Sequence, residues 1–231
     1  MPSGTSASAR EKLAELRERT HRYATLLVAE LVLILTYPFF ADLSPRSGLP
    51  RVLAVIVFSA ALFAVLGKGR MTKIAFMLGI PAILLRLIAF AGHIPVLDLV
   101  DQVLGVMFMV FVTSVLVYTI VSDPSVTTDT LAGAVSAYFL IGITFGLLYA
   151  LIGGVVPGAF RDTVEPARHL APPEYTFYSF MTLTTVGYGD IVPRDGHARS
   201  FAMLESVIGI MYPAVLISRL VGLHGRKRET P

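Results

Sequence analysis

Apolar residues in this chain fall into blocks, and the length of the blocks constrains the fold more than any other feature. Six of them, at residues 24–41, 52–67, 74–92, 96–121, 130–156 and 199–223, are separated by polar or Pro/Gly-rich breaks. About 20 apolar residues in a helix cross the ~30 Å hydrocarbon layer of a bilayer, so these blocks read as membrane spans. The block at 52–67 is the shortest, and the long one at 96–121 begins outside the membrane and enters it after Asp98. A shorter, more polar segment at 174–184 lies between the last two spans and reads as a half-span. Composition agrees, because 55% hydrophobic residues, 15% charged ones and a mean hydropathy of +0.71 lie outside the range of soluble domains. The expected fold class is an all-α integral membrane protein with six transmembrane helices and a re-entrant helix and loop.

Basic residues near helix ends are retained on the cytoplasmic side. With both termini inside, twelve of the 19 Lys and Arg residues are cytoplasmic: Arg10, Lys12, Arg17, Arg19, Arg22, Lys68, Arg70, Lys73, Arg219, Arg226, Lys227 and Arg228. Six are outside, namely Arg46, Arg51, Arg161, Arg168, Arg194 and Arg199, and Arg86 lies inside a span. The net charge of +3 therefore reports topology, and no nucleic-acid partner is expected. The absence of cysteine excludes disulfides and cysteine metal sites. The first apolar block is too long for a signal-peptide core and has no small-residue cleavage site after it, so it is read as retained. Before it, Ser8 and Glu11 form a capping box, and Glu15 with Arg19 and Glu18 with Arg22 are i,i+4 pairs of favourable polarity. Residues 1–23 are thus expected to include a short charged helix on the inner face. Residues 158–173, with Pro166, Pro172 and Pro173 and charges of both signs, have no apolar period and read as an external loop. The tail at 224–231 is too short for a regulatory domain, so no accessory domain is expected in the chain.

After that loop comes the aromatic segment Tyr175-Thr176-Phe177-Tyr178-Ser179-Phe180, then Thr182-Leu183-Thr184-Thr185-Val186-Gly187-Tyr188-Gly189-Asp190, Pro193 and the final span. The motif and its setting, over residues 129–222, resemble the potassium channel pore family. The first four spans resemble that family's voltage-sensor scaffold in number only. The resemblance implies a selectivity filter of Thr185, Val186, Gly187, Tyr188 and Gly189, with K+ held at the first four of these residues and no cofactor. It divides the chain into an N-terminal cytoplasmic helix (1–23), a four-helix membrane domain (24–122), a pore domain (123–223) and a short tail (224–231).

The chemistry at such a site is dehydration of an ion. K+ leaves water only where oxygens replace its shell, and a ring of backbone carbonyls from four chains does this while leaving the ion mobile. One chain supplies one filter strand, so a homotetramer in membrane lipid is expected. Carbonyls that all face one axis need backbone conformations that L-residues resist, and Gly187 and Gly189 take positive φ without steric penalty. By resemblance, the Thr185 hydroxyl closes the innermost ion site. Val186 and Tyr188 turn away from the axis onto the half-helix, with Tyr178 a candidate partner for the Tyr188 hydroxyl. Thr182, Thr184, Tyr178 and Asp190 form the filter's expected support. The C-terminal end of the half-helix directs its negative pole towards the cavity, and Glu174 sits at the positive pole. The family often has tryptophans in the half-helix that hold the aspartate after the filter. Here Phe177 and Tyr178 stand in their places, which leaves the partner of Asp190 open.

Gly209 lies 19 residues after Asp190, where the family commonly has a gating-hinge glycine, and Pro213 removes a backbone hydrogen bond one turn later. Both are hinge candidates, against close helix packing for Gly209 and a static kink for Pro213. Gly142 and Gly146 form a small-residue helix contact. Glu205 faces either the cavity or the back of the half-helix. Among the buried charges, Arg86 lies roughly 18 Å from the inner edge, Asp101 roughly 21 Å and Glu30 about 10 Å, at ~1.5 Å per residue, so Arg86 and Asp101 are the matched pair. The fourth span carries no Arg or Lys, only Asp98 and Asp101, so steep voltage gating is not expected. The expected function is passive K+ conduction across the cell membrane. The alternatives are a potassium transporter subunit and a non-conducting partner subunit. No nucleophile–base, metal-ligand or phosphate-loop spacing points to an enzyme.

Overall fold

The computed structural model describes residues 22–36, 48–66, 69–91, 95–122 and 127–226. The capping box at Ser8 and the pair of Glu15 with Arg19 lie outside them, as do most of the N-terminal charges and residues 227–231. The described chain is mostly helical, with one small ribbon and irregular segments at 156–159, 163–171 and 184–190: α1 (Arg22–Leu35), α2 (Gly48–Val65), α3 (Arg70–Ala91), α4 (Pro95–Ser122), α5 (Thr128–Val155), β1 (Phe160–Asp162), α6 (Pro172–Leu183), β2 (Ile191–Pro193) and α7 (Gly196–Arg226). Among the described residues, four helices are long and apolar enough to cross a membrane: 19 residues of α3, 27 of α4, 28 of α5 and 24 of α7. In α2 the apolar stretch is the shorter Val52–Val65, and the described part of α1 has 14 residues. At ~1.5 Å per residue α4 is roughly 42 Å long, more than the ~30 Å hydrocarbon layer needs.

Local chemistry sets the helix ends. Thr127 caps α5, its hydroxyl accepting from the Thr130 amide at 3.1 Å. Asp195 caps α7 through the His197 and Ala198 amides at 2.7 and 3.2 Å. Inside the helices, Ser59, Ser114 and Thr119 return their hydroxyls to carbonyls four residues back, which satisfies polar groups where lipid offers no partner.

One apolar core joins α1 to α5. Leu26, Val57, Phe58, Phe108, Met109, Val112, Leu116, Ala134 and Leu140 are all buried in it. Successive helices pack on one another, and α5 lies against α1, α4, α6 and α7. A second, aromatic core of Tyr149, Phe160, Tyr175 and Tyr178 lies beside α6, with ring centroids 5.1–5.4 Å apart in edge-to-face contacts. Residues 158–173 are not wholly irregular, contrary to the loop expected there. β1 pairs antiparallel with β2, Arg161 opposite Val192, so the segment before α6 is hydrogen-bonded to the segment after the 185–189 strand. Three-residue strands are too short to carry a period, which is why the ribbon left no trace in the sequence.

Candidate functional site

Helix α6 opens on Pro172 and Pro173, whose missing amides are no loss in a first turn. Ala171 offers no side-chain cap. The Glu174 carboxylate instead accepts the Ala171 amide at 2.6 Å, so its negative charge sits at the positive helix end. At the other end Thr182 and Thr184 donate their hydroxyls to the carbonyls of Tyr178 and Phe180, at 2.9 and 2.6 Å. The helix then unwinds, with the Thr185 amide on the Thr182 carbonyl and the Gly187 amide on the Met181 carbonyl, both at 3.0 Å.

The strand that follows alternates in handedness. φ is +61° at Thr185, +56° at Gly187 and +79° at Gly189, and no other non-glycine among the described residues has a positive φ. Alternating signs turn successive carbonyls to one side. A side chain at Gly187 or Gly189 would meet no atom within 4 Å, so the backbone conformation, not space, demands glycine there. Thr185 was expected to matter for its hydroxyl, yet its backbone is the outlier. A β-branched residue held in the left-handed region stores ~1–3 kcal/mol, and such strain persists only where surrounding structure fixes it.

Tyr188 stacks on Phe177 with centroids 6.3 Å apart and planes at 14°, and remains 71% exposed in the single chain. Among the described residues of the single chain, Tyr188 meets Phe177 and not the Tyr178 expected from the sequence. Neighbouring residues on a helix diverge by about 100°, and Tyr178 points into the aromatic core against Tyr149 and Phe160. The carboxylate of Asp190 accepts the adjacent Ile191 amide at 2.9 Å. Thr163, which no sequence pattern singled out, holds the backbone at this end. Its amide donates to the Asp190 carbonyl at 2.7 Å, and its hydroxyl lies 2.9 Å from the Gly189 carbonyl.

Thr163 is itself placed by a turn built on Asp162. One Asp162 oxygen accepts the amides of Val164 and Glu165 at 2.8 and 3.0 Å, and the other faces Arg168 at 3.2 Å. The Glu165 and Val164 amides, and then the Arg168 guanidinium, hold the Asp162 carboxyl below the usual aspartate range. Arg168 also pairs with Glu174, so the turn, the start of α6 and the end of the 185–189 strand form one polar chain.

Behind α6, Gly142 and Gly146 let α5 approach closely. A Cβ at Gly142 would meet the Phe180 ring at 2.8 Å, and one at Gly146 the Thr176 Cα at 2.7 Å. Glu205 is fully buried and turns to the back of α6, where it accepts from Tyr149 at 2.6 Å and from Ser179. Gly209 lies against the last carbonyl of α6, where a Cβ would fall 1.9 Å from the Leu183 oxygen. Helix α7 runs on through Gly209 and Pro213 without a break. Far from the strand, Arg86 Nε is 3.2 Å from Asp101, and its guanidinium lies 4.3 Å over the Phe58 ring.

The family described as Ion channel matches residues 138–223, from α5 through α7. Protein LctB of Bacillus caldotenax is 30% identical over 96 residues, 40% of this chain and 71% of that protein. Two pore potassium channel c of Oryza sativa subsp. japonica is 34% identical over 85 residues, 37% of this chain. This chain belongs to the potassium channel pore family. A second rice relative, Two pore potassium channel a, is 26% identical over 93 residues. The matches span 17% and 26% of the two rice proteins' own lengths. No solved structure matches the chain. Family membership makes this an ion channel fold and not an enzyme, and the matched residues contain the alternating strand together with both helices that flank it.

Proposed function

We propose that the chain is a subunit of a homotetrameric, potassium-selective channel that conducts K+ passively, with Thr185, Val186, Gly187, Tyr188 and Gly189 as its filter. The observation that carries this is the alternation of φ at residues 185–189 directly after the half-helix, a backbone whose carbonyls line up to replace the hydration shell of an ion. Thr182 and Thr184 finish the half-helix, and Asp190 and Thr163 fix the outer end of the strand.

Four copies account for surface that one chain leaves bare. Met203, Val207, Ile210, Met211 and Ile217 of α7 are more than half exposed, as is Tyr188 beside the filter. In a four-fold assembly this surface borders the neighbouring subunits and the ion path. The pore division at 123–223, the four-helix division at 24–122, the cell membrane location and the cytoplasmic termini belong to the same proposal.

Conduction varies weakly with voltage. Moving one charge through the membrane is worth ~2.3 kcal/mol per 100 mV, and α4 carries no basic residue to move. Among the described residues of the four-helix part, the single buried basic side chain, Arg86, is held by Asp101. The test is reconstitution of the purified chain with recording under bi-ionic K+ and Na+. Strong exclusion of Na+ and a four-chain mass in detergent are the expected results. Comparable permeability of the two ions refutes the proposal, saturable slow flux favours a transporter, and a silent bilayer favours a non-conducting subunit.

A further inference from the structure

Glu205 lies on α7 with no exposed surface, and among the described residues its recorded hydrogen-bond partners are two neutral hydroxyls. Tyr149 of α5 donates to one carboxylate oxygen at 2.6 Å, and Ser179 of α6 approaches the other. Ser179 is itself fully buried, 2.7 Å from the Gly142 carbonyl of α5. Three pore helices therefore meet at a single carboxylate. A carboxylate at this depth is costly, and apolar packing alone would hold the helices together without it. Directional bonds add what packing lacks, a fixed register of one helix along another.

Ser179 stands six residues before Thr185, roughly 9 Å along the helix. On the outer side the strand is held by Thr163 and by the turn built on Asp162. The Asp190 carboxylate bonds its own neighbouring amide, and the Phe177 ring has no donor to offer it. On its inner side the half-helix is met by the Tyr138 hydroxyl at the Leu183 carbonyl and by the Glu205 carboxylate, among the described residues the one group there that bonds side chains of both α5 and α6.

We propose that Glu205 is a positioning residue for K+ binding: through Ser179 and Tyr149 it fixes the half-helix between α5 and α7 and so sets the placement of the 185–189 strand. The inference rests on the potassium-channel reading. Its test measures the thermal stability of the purified full chain in detergent as K+ replaces Na+ at constant ionic strength, which yields an apparent K+ affinity. The wild-type chain is expected to gain stability with K+. Glu205→Val leaves the Tyr149 hydroxyl without this acceptor and leaves Ser179 only the Gly142 carbonyl, and its K+ affinity is expected to fall about tenfold, the equivalent of one buried donor left unsatisfied. Glu205→Gln keeps an acceptor for one hydroxyl and falls between. Ser179→Ala weakens K+ binding in the same direction, and Glu205→Val added to it has less than its full effect, because the two share the Ser179 contact while the Tyr149 bond is lost only with Glu205. Loss of mere packing lowers the melting temperature equally in both ions, so affinity is the deciding readout. Wild-type K+ affinity in Glu205→Val and Ser179→Ala overturns the proposal. A wild-type chain that K+ does not stabilise overturns the potassium reading itself, and the proposal with it.

Discussion

Gly209 offers a direct choice between a hinge and a packing contact. A Cβ built at Gly209 falls 1.9 Å from the Leu183 oxygen and 2.8 Å from its carbon, whereas ordinary contact begins near 3.4 Å. Gly209→Ala therefore drives α7 and the end of α6 apart by about 1.5 Å, the difference of 3.4 and 1.9 Å. Backbone lies on one side of the clash and a helix on the other, so no flexible side chain absorbs it. Overpacking of this kind costs typically 1–3 kcal/mol at each site, and alanine's better helix propensity returns at most about 1 kcal/mol. The displaced carbonyl is two residues from Thr185 and already accepts from the Tyr138 hydroxyl at 3.3 Å, so the shift is passed into the 185–189 strand. If Gly209 acts as a packing contact, Gly209→Ala lowers assembly stability and K+/Na+ selectivity together, even in channels held open. If it acts as a hinge, the same variant slows opening while selectivity and melting temperature stay at wild-type values. Bi-ionic reversal potentials beside thermal unfolding of the solubilised protein separate the two, and unchanged values in both refute the packing argument.

Three further outcomes are expected. Gly187→Ala has room for its methyl group but not the backbone, since φ is +56°; at about 1–2 kcal/mol per subunit this strain, repeated around a ring, abolishes selective current while leaving the assembly intact by native mass. Asp101→Leu leaves Arg86 buried without its counter-charge and costs about 3 kcal/mol, the low end for a broken buried pair because the Phe58 ring still faces the guanidinium; Arg86→Leu with Asp101→Leu recovers most of this in thermal unfolding, and an equally unstable double variant counts against the pair. The Asp162 carboxyl is lowered from 3.8 in the fold, so the turn's stabilisation is complete above that value and is lost only as pH falls through the lower folded one; amide exchange protection at Val164 and Glu165 should persist from pH 7 down to about 4, and its loss by pH 5 would contradict the assignment.

What the sequence made legible was whatever one residue type does almost alone. Four long apolar helices follow from runs of apolar residues, and the glycine spacing at 187 and 189 follows from the one residue that tolerates positive φ, found there at +56° and +79°. Depth in the membrane brought Arg86 and Asp101 to the same level without any contact being known, and their atoms lie 3.2 Å apart. Small residues at 142 and 146 announced a close helix approach, and their partners proved to be Phe180 and Thr176 of the half-helix.

What stayed hidden depends on two or more segments at once. Thr163 is one threonine among many until β1 pairs with β2 and brings it under the Gly189 and Asp190 carbonyls. Tyr178 is the sequence's candidate partner for the Tyr188 hydroxyl, but a helix separates adjacent residues by about 100°, and in the single chain the neighbouring Phe177 is the ring that stacks on Tyr188. The positive φ of Thr185 is the deepest case. Threonine is among the last residues to choose for a left-handed position, and only the strand's need for an unbroken alternation of handedness selects it there. Strain of that kind is absent from propensity and pattern alike, because it is imposed by the two glycines that follow and by the half-helix that ends just before it. A residue in an unfavourable conformation beside two in favourable ones therefore marks where the chain gives up local preference for the carbonyl array.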